Sequence, residues 1–416
     1  MFWKNAFRIV ILCGLVLGFA YTVSRTRREV TRLAMPPEPA PAVQPAAAVP
    51  YASFSPRQLA FEKALVSRLK VPAGFQVSVF AEGVTNARVI AVAENGTVYV
   101  TQPGPGQVTM LRDGDGDGMA ETRRTVATGL NGVHGIALRE NTLFLITRTS
   151  VYTAAIQPGG TVGKPNEIVN NLPSGGGHVL RTAAFGPDGM LYISIGSTSN
   201  DTPEANPENA TILRMRADGS GRKAYARGLR NTEAFAWHPK TRELWGMDIG
   251  SDRRGPDLPP EELNRIKEGG DYGWPWCYGK RVVDTMTAGQ PTGMTKETYC
   301  ARTEPMVLGY QAHSSPIQLV FYTGKQFPAE YRSDAFVTMR GSWNRRPAVG
   351  HTVVRIRYDA AGRPTGFEDF LTGFLTEDGA ARFGRPAGLA QLPDGSLLVG
   401  DDSHGVIYRV AYRGER

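Results

Sequence analysis

The chain has 416 residues, 41% hydrophobic and 21% charged, a globular composition with enough apolar material for a large core. Its formal charge is +8, but residues 1–50 hold six Lys/Arg against two acids and supply +4 of that. No basic run or basic helix follows, so the composition excludes nucleic acid as the expected partner. The 48 Gly and 29 Pro imply many tight turns and favour β architecture over long helices.

In chain order, residues 9–23 are an apolar run preceded by Lys4 and Arg8. The run is short for a spanning helix and suits a signal-type segment. Gly18-Phe19-Ala20 is a small-x-small site that allows cleavage after Ala20, whereas Arg25, Arg27 and Arg28 just downstream favour an uncleaved anchor. The expectation is a periplasmic body held at the inner membrane by residues 6–23 alone, or a secreted body if cleavage occurs. Residues 1–30 are then the anchor, and residues 31–54 a Pro/Ala-rich linker. Residues 55–416 form the catalytic domain. Ser55 as N-cap, Pro56 at the first helical position and Gln58 at the third predict a helix there, with Leu59, Leu65, Val66 and Leu69 as its apolar face.

Beyond residue 70 the period changes to short alternating strands, and a unit repeats: apolar strand, turn with Asp, Asn or Gly, apolar strand. Copies begin near residues 88, 134, 181, 231, 316 and 385, the first four about 45–55 apart. Six copies predict an all-β, six-bladed β-propeller with an insertion at about residues 250–312. Residues 75–81 are placed to pair with residues 406–410 and close the ring.

Equivalent positions in blades converge on the channel axis. The starts of the inner strands hold Arg88, His134, Arg181, Arg230-Asn231, His313-Ser314 and Arg385, with His178 just upstream of Arg181. Such a ring suits a compact polyanion. The alternative is arginines that only bond neighbouring blades. Of three cysteines, Cys13 lies in the apolar run. Cys277 and Cys300 are either a disulfide made in an oxidising compartment or two separate thiols. Asp113, Asp115 and Asp117 with Gly118 match the start of an EF-hand loop, but position 12 is Arg124. This gives a possible second Ca²⁺ site or a plain Gly-rich turn.

Several segments carry a family resemblance: Gly177-His178-Val179-Leu180-Arg181; Phe185 through Gly196; Gly228-Leu229-Arg230-Asn231; Gly255-Pro256 with Glu261-Glu262-Leu263-Asn264; and Gly269-Gly270-Asp271-Tyr272-Gly273-Trp274-Pro275. Together they resemble the soluble pyrroloquinoline-quinone-dependent glucose/sorbosone dehydrogenases over residues 70–412. His313-Ser314-Ser315-Pro316 and Gly341-Ser342-Trp343-Asn344-Arg345 are closer to the sorbosone dehydrogenase branch.

The resemblance implies oxidation of an aldose or a sugar-derived aldehyde or alcohol by hydride transfer to pyrroloquinoline quinone bound with Ca²⁺. It makes His178 the base, and Arg230, Asn231, Arg385, Arg340 and Arg181 contacts to the cofactor. The backbone carbonyls of Gly255 and Pro256 become the Ca²⁺ ligands. With no haem motif present, electrons must pass to a separate acceptor. Trp274 and Trp276 are either insertion core or a sugar platform. Two other functions are compatible with a propeller. A calcium-dependent lactonase would need carboxylates and Asn around an axial metal, and a non-catalytic binding module would need no cofactor.

Overall fold

Strands two residues apart in pattern but buried on both faces need cover from two sides, and the second strand of each repeat has that character. Val98–Gln102, Leu191–Ile195, Leu244–Asp248, Ala335–Met339 and Leu397–Asp401 are buried at every position. Each is flanked in its own sheet and packed by a neighbouring sheet on either face. Outer strands such as Thr122–Ala127 and Lys223–Arg227 are mostly exposed and charged. The computed structural model describes residues 53–414.

Six four-stranded antiparallel sheets result. Blade 1 begins at Ile90–Val92, blade 2 at Gly135–Arg139 and blade 3 at Ala183–Phe185. Blade 4 begins at Ala234–Trp237, blade 5 at Pro316–Phe321 and blade 6 at Pro386–Gln391. Phe75–Ala81 is the outermost strand of blade 6 and pairs antiparallel with Val406–Tyr412, Val77 opposite Val410. This closes the ring between the two ends of the described chain and leaves no open sheet edge there. Apolar layers fill the spaces between blades. Phe144, Ile146, Ile193 and Leu213 pack between blades 2 and 3; Trp245, Val337, Met339 and Val354 pack between blades 4 and 5.

Two expectations need adjustment. The segment after Ser55 is not an α-helix. Arg57–Gln58 instead pairs in parallel with Ala381–Arg382, and only Lys63–Arg68 turns, as a 3₁₀-helix. The apolar residues are used as expected, since Leu59, Leu65 and Val66 pack on the blade 5–6 core and Leu69 is buried in it. Backbone pairing with a neighbouring loop has outcompeted the capping signal. The insertion is narrower than 250–312, because Glu261–Ile266 and Leu308–Tyr310 are the paired third and fourth strands of blade 4. The residues between them carry a short hairpin and the helix Lys296–Cys300. The anchor at residues 6–23 lies outside the described residues; among those described, no helix is long and apolar enough to cross a membrane.

A disulfide joins Cys277 to Cys300 across 23 residues of this insertion, packed with Trp276. A loop of that length gives about 3 kcal/mol of stabilisation by restricting the unfolded chain. Replacing both cysteines by Ser is expected to lower unfolding stability by about 2–4 kcal/mol in a denaturant titration. An unchanged midpoint would show that the insertion unfolds independently of the blades.

Candidate active site

The inner-strand starts meet at a cavity of about 290 Å³ at one end of the channel. Arg88, Arg230, Asn231, His313 and Arg385 line it, together with His178 and Arg340. Three members of the expected ring do not, among them Ser314, which is buried with its Oγ donating to Gln311 O at 2.8 Å. His134 is fully buried; its Nδ1 lies 3.0 Å from the Arg181 carbonyl, and its Nε2 accepts from Arg88 Nε at 3.2 Å. Arg181, expected to touch cofactor, is 1% exposed and turned into the protein. It donates to the carbonyls of His178 at 2.7 Å and Pro173 at 2.6 Å. Its role is to hold the loop that carries His178.

That loop depends on two glycines. Gly176 has φ +69°, and a Cβ there would lie 1.8 Å from the Thr198 carbonyl oxygen. Gly196 lies against the histidine itself: a Cβ would come within 2.5 Å of His178 Cβ and 2.8 Å of Asn231 Oδ1. Within the run at 175–177, Gly176 therefore acts through close packing on the segment that follows the Leu191–Ile195 strand, while a Cβ at Gly175 or Gly177 would meet nothing.

His178 Nδ1 lies 3.1 Å from the Ser197 carbonyl and 2.9 Å from Ser197 Oγ. The Ser197 hydroxyl donates to Ser199 O, so toward the ring it accepts. Both partners are thus acceptors, and Nδ1 must carry the proton. The neutral ring then has its lone pair on Nε2, which has no hydrogen-bond partner among the described residues.

Burial, and then the positive charge of Arg230, push the His178 pKa down to about 4. The folded protein therefore disfavours the charged ring. Between pH 6.5 and about 4 the unfolded chain binds this proton and the folded one does not. Stability is complete above the upper limit and lost as pH falls through the window. Denaturant titrations are expected to show a shallower acid slope for His178→Gln than for the parent protein; parallel slopes would contradict the shift.

The arginines differ in how fully they are already used. Arg230 is 2% exposed and donates to Asn200 O at 3.0 Å, Asn200 Oδ1 at 2.8 Å and Asp252 Oδ2 at 3.1 Å. Arg88 bridges Asp402 at 2.6 Å and Glu233 at 3.2 Å, and Arg340 also pairs with Asp402. Arg385 is different: its buried Nε has no hydrogen-bond partner among the described residues. Burial, then the charge of Arg340, bring its pKa down to about 9. The cavity therefore holds more guanidinium groups than its carboxylates satisfy, the electrostatic setting for a bound anion.

Glu233, Asp252, Glu261, Trp343 and Asn344 also line the cavity, and sequence reasoning assigned none of them a role there. Glu233 follows Asn231 by two, just before the Ala234–Trp237 strand, and its Oε1 accepts from Asn231 Nδ2 at 3.0 Å. Burial would raise its pKa, but His134 and Arg88 hold the carboxyl well below the usual range. Glu261 accepts from Ser315 N at 2.8 Å and Gly250 N at 3.3 Å, and burial pushes its pKa up to about 8.

Gly255 and Pro256 require a correction. Neither lines the cavity. The Gly255 carbonyl lies 2.8 Å from His313 Nε2, and the Pro256 carbonyl accepts from Arg345 Nη1. From this segment it is Gly250, Asp252 and Pro259 that stand at the cavity wall.

Asp113, Asp115 and Asp117 do cluster, with Glu121, but away from the cavity. Asp113, for example, accepts from the backbone of Gly116 at 2.7 Å and Gly118 at 2.9 Å. These bonds account for the turn without an ion.

A family model described as TrAA12-like matches residues 69–413. The chain belongs to the TrAA12-like family. Among solved structures, this TrAA12-like chain superposes on the calcium structure of the family AA12 carbohydrate-active enzyme of Trichoderma reesei. The TM-score is 0.72 at 22% identity, covering 83% of this chain and 97% of that one. It also superposes on the holo form of the pyranose dehydrogenase PQQ domain of Coprinopsis cinerea, with TM-score 0.70 at 21% identity over 82% and 97% of the two chains. These likenesses establish the six-bladed fold. By sequence, it is 28% identical over 365 residues to an uncharacterized protein of Borreliella burgdorferi, 84% of this chain and 92% of that one. A shorter match, 27% over 147 residues, is to quinoprotein glucose dehydrogenase B of Acinetobacter calcoaceticus, covering 28% and 29% of the two chains.

Proposed function

We propose that this TrAA12-like protein is a quinoprotein that oxidises an aldose or related sugar, with pyrroloquinoline quinone and Ca²⁺ bound in the cavity. The observation that carries the reading is that one cavity holds both His178, its Nε2 lone pair set free, and Arg385, a half-buried cation whose Nε has no hydrogen-bond partner among the described residues. The names of the structural neighbours support the same chemistry, since one is a calcium structure and another a PQQ-domain holo form. A tricarboxylate fits the donor set, because Arg385, Arg340, Arg88 and Arg230 offer charge-assisted hydrogen bonds from several sides. The oxygen donors of Asp252 and Glu261, on the same cavity wall as Gly250, suit a hard divalent cation. Such a cation would hold the Glu261 carboxyl ionised at neutral pH.

When bound, pyrroloquinoline quinone with Ca²⁺ supplies the hydride acceptor. The protein's part is proton removal and orientation. His178 Nε2 takes the proton of the sugar hydroxyl while hydride leaves the same carbon, and the proton then rests on the imidazolium. Ser197 holds the ring in the required tautomer, and Arg181 holds the loop beneath it. Glu233 fixes the Asn231 amide. Electrons leave to a separate acceptor.

The lactonase alternative fits less well, because the inner-strand starts gather arginines where an axial carboxylate and Asn cage would be needed. The reading is tested by turnover: reduction of a dye acceptor by glucose or another aldose should require both pyrroloquinoline quinone and Ca²⁺. Equal rates with either omitted would contradict it.

For location we propose an extracytoplasmic body, supported by the disulfide and by the apolar run at residues 9–23. Protease added to spheroplasts should degrade the propeller; protection would contradict this placement.

A further inference from the structure

The two indoles that the sequence offers as a sugar platform are core. Trp274 and Trp276 are each 8% exposed. Trp274 Nε1 donates to Asn200 O at 3.2 Å, and Trp276 packs against the disulfide. The aromatic ring at the cavity is Trp343, 43% exposed. The other large exposed apolar side chains among the described residues are Met119, Leu258, Val282 and Met286, and none lines the cavity.

We propose that Trp343 and Asn344 form the subsite for the sugar ring, the indole covering its C–H face and the Asn344 amide accepting from a ring hydroxyl. This rests on the sugar-oxidising reading above and identifies the residues that discriminate substrate. A pyranose has an apolar face of C–H groups and an edge of hydroxyls, so it is recognised by one aromatic surface beside a few fixed polar groups. The cavity floor is charged and suited to an anion. Among the described residues, Trp343 is its one aromatic wall.

The polar half follows from Asn344. Its Nδ2 donates to Asp252 Oδ1 at 2.7 Å and to His313 Nδ1 at 3.2 Å. His313 Nδ1 accepts, because Nε2 of that ring donates to the Gly255 carbonyl. Turning the amide over would set oxygen against a carboxylate oxygen, so the orientation is fixed. Asn344 Oδ1 is left as an acceptor without a partner.

The platform is also held in place before any ligand arrives. Phe54 N donates to Trp343 O at 3.0 Å, and Phe54 forms a parallel bridge with Asn344. The Arg346 guanidinium lies 5.0 Å over the Phe54 ring. Ser342 N donates to Val349 O at 3.0 Å, and Ser342 Oγ accepts from Val349 N at 3.1 Å. A loop fixed at both ends loses little entropy on binding.

The test uses the protein loaded with pyrroloquinoline quinone and Ca²⁺, with 1,5-anhydroglucitol as probe. This probe keeps the pyranose face but lacks the anomeric hydroxyl. Calorimetric titration should show Trp343→Leu binding it about tenfold more weakly than wild type, and Trp343→Phe within about threefold. In steady state, Trp343→Leu should raise KM for glucose by a similar factor with kcat within about threefold, and cofactor affinity should be unchanged. Equal probe affinity in wild type and Trp343→Leu, with normal cofactor binding, would overturn the subsite. Failure of wild type to bind the cofactor at all is a different result, and it would overturn the parent reading together with this one.

Discussion

His178→Gln is expected to reduce kcat by about 10²–10⁴ while leaving cofactor affinity within a few-fold. Gln matches the size of the imidazole and can still donate to Ser197, but it has no lone pair of useful basicity at the Nε2 position. The reductive half-reaction, followed by rapid mixing of a saturating aldose with the loaded protein, reads this directly. The wild-type rate should rise with pH through one ionisation, because the neutral ring is the active form. Its midpoint should lie below the ordinary histidine value near 6.5, given the downward shift to about 4 in the protein alone. That acid limb should vanish in His178→Gln. Near-normal reduction by the variant would remove His178 from the chemistry and leave His313, the other histidine lining the cavity, as the candidate.

Arg385→Ala is expected to weaken cofactor binding by roughly 10–150-fold, the loss of a charge-assisted contact worth about 1.5–3 kcal/mol. The unloaded protein should keep its thermal stability, because Arg385 Nε bonds to nothing and its charge is held near like charges. Arg230→Ala makes the contrast. The sequence presents Arg230 as a channel residue in contact with the cofactor. The structure shows it bonded to Asn200 and Asp252, so its removal should lower the unfolding midpoint as well as cofactor affinity. Unchanged cofactor affinity in Arg385→Ala would defeat the account of the cavity as an anion site.

The propeller was legible because each blade repeats one apolar pattern, and the closing strand Phe75–Ala81 announced itself by alternation opposite an equally apolar partner. His178, Arg230, Asn231 and Arg385 were legible because inner-strand starts converge on the channel, and Arg340 only through the family resemblance. What failed was side-chain direction. Arg181 occupies an equivalent start, yet it turns inward to serve the carbonyls of its own loop. Gly255 and Pro256 stand in a recognised motif, but a motif does not fix loop path: their carbonyls face His313 and Arg345. Trp343 and Asn344 stood in a recognised motif without a role, since the sequence cannot say which tryptophans are core. The capping signal at Ser55 was overridden by pairing with Ala381–Arg382, a tertiary contact no local pattern records.

The central claim is that this cavity holds pyrroloquinoline quinone together with Ca²⁺. Titrating metal-free protein with the quinone, with and without Ca²⁺, and following the quinone absorbance tests it most directly. The account predicts a saturable shift at one equivalent that requires Ca²⁺ and is weakened in Arg385→Ala. Absence of a saturable shift in the presence of Ca²⁺ would contradict it.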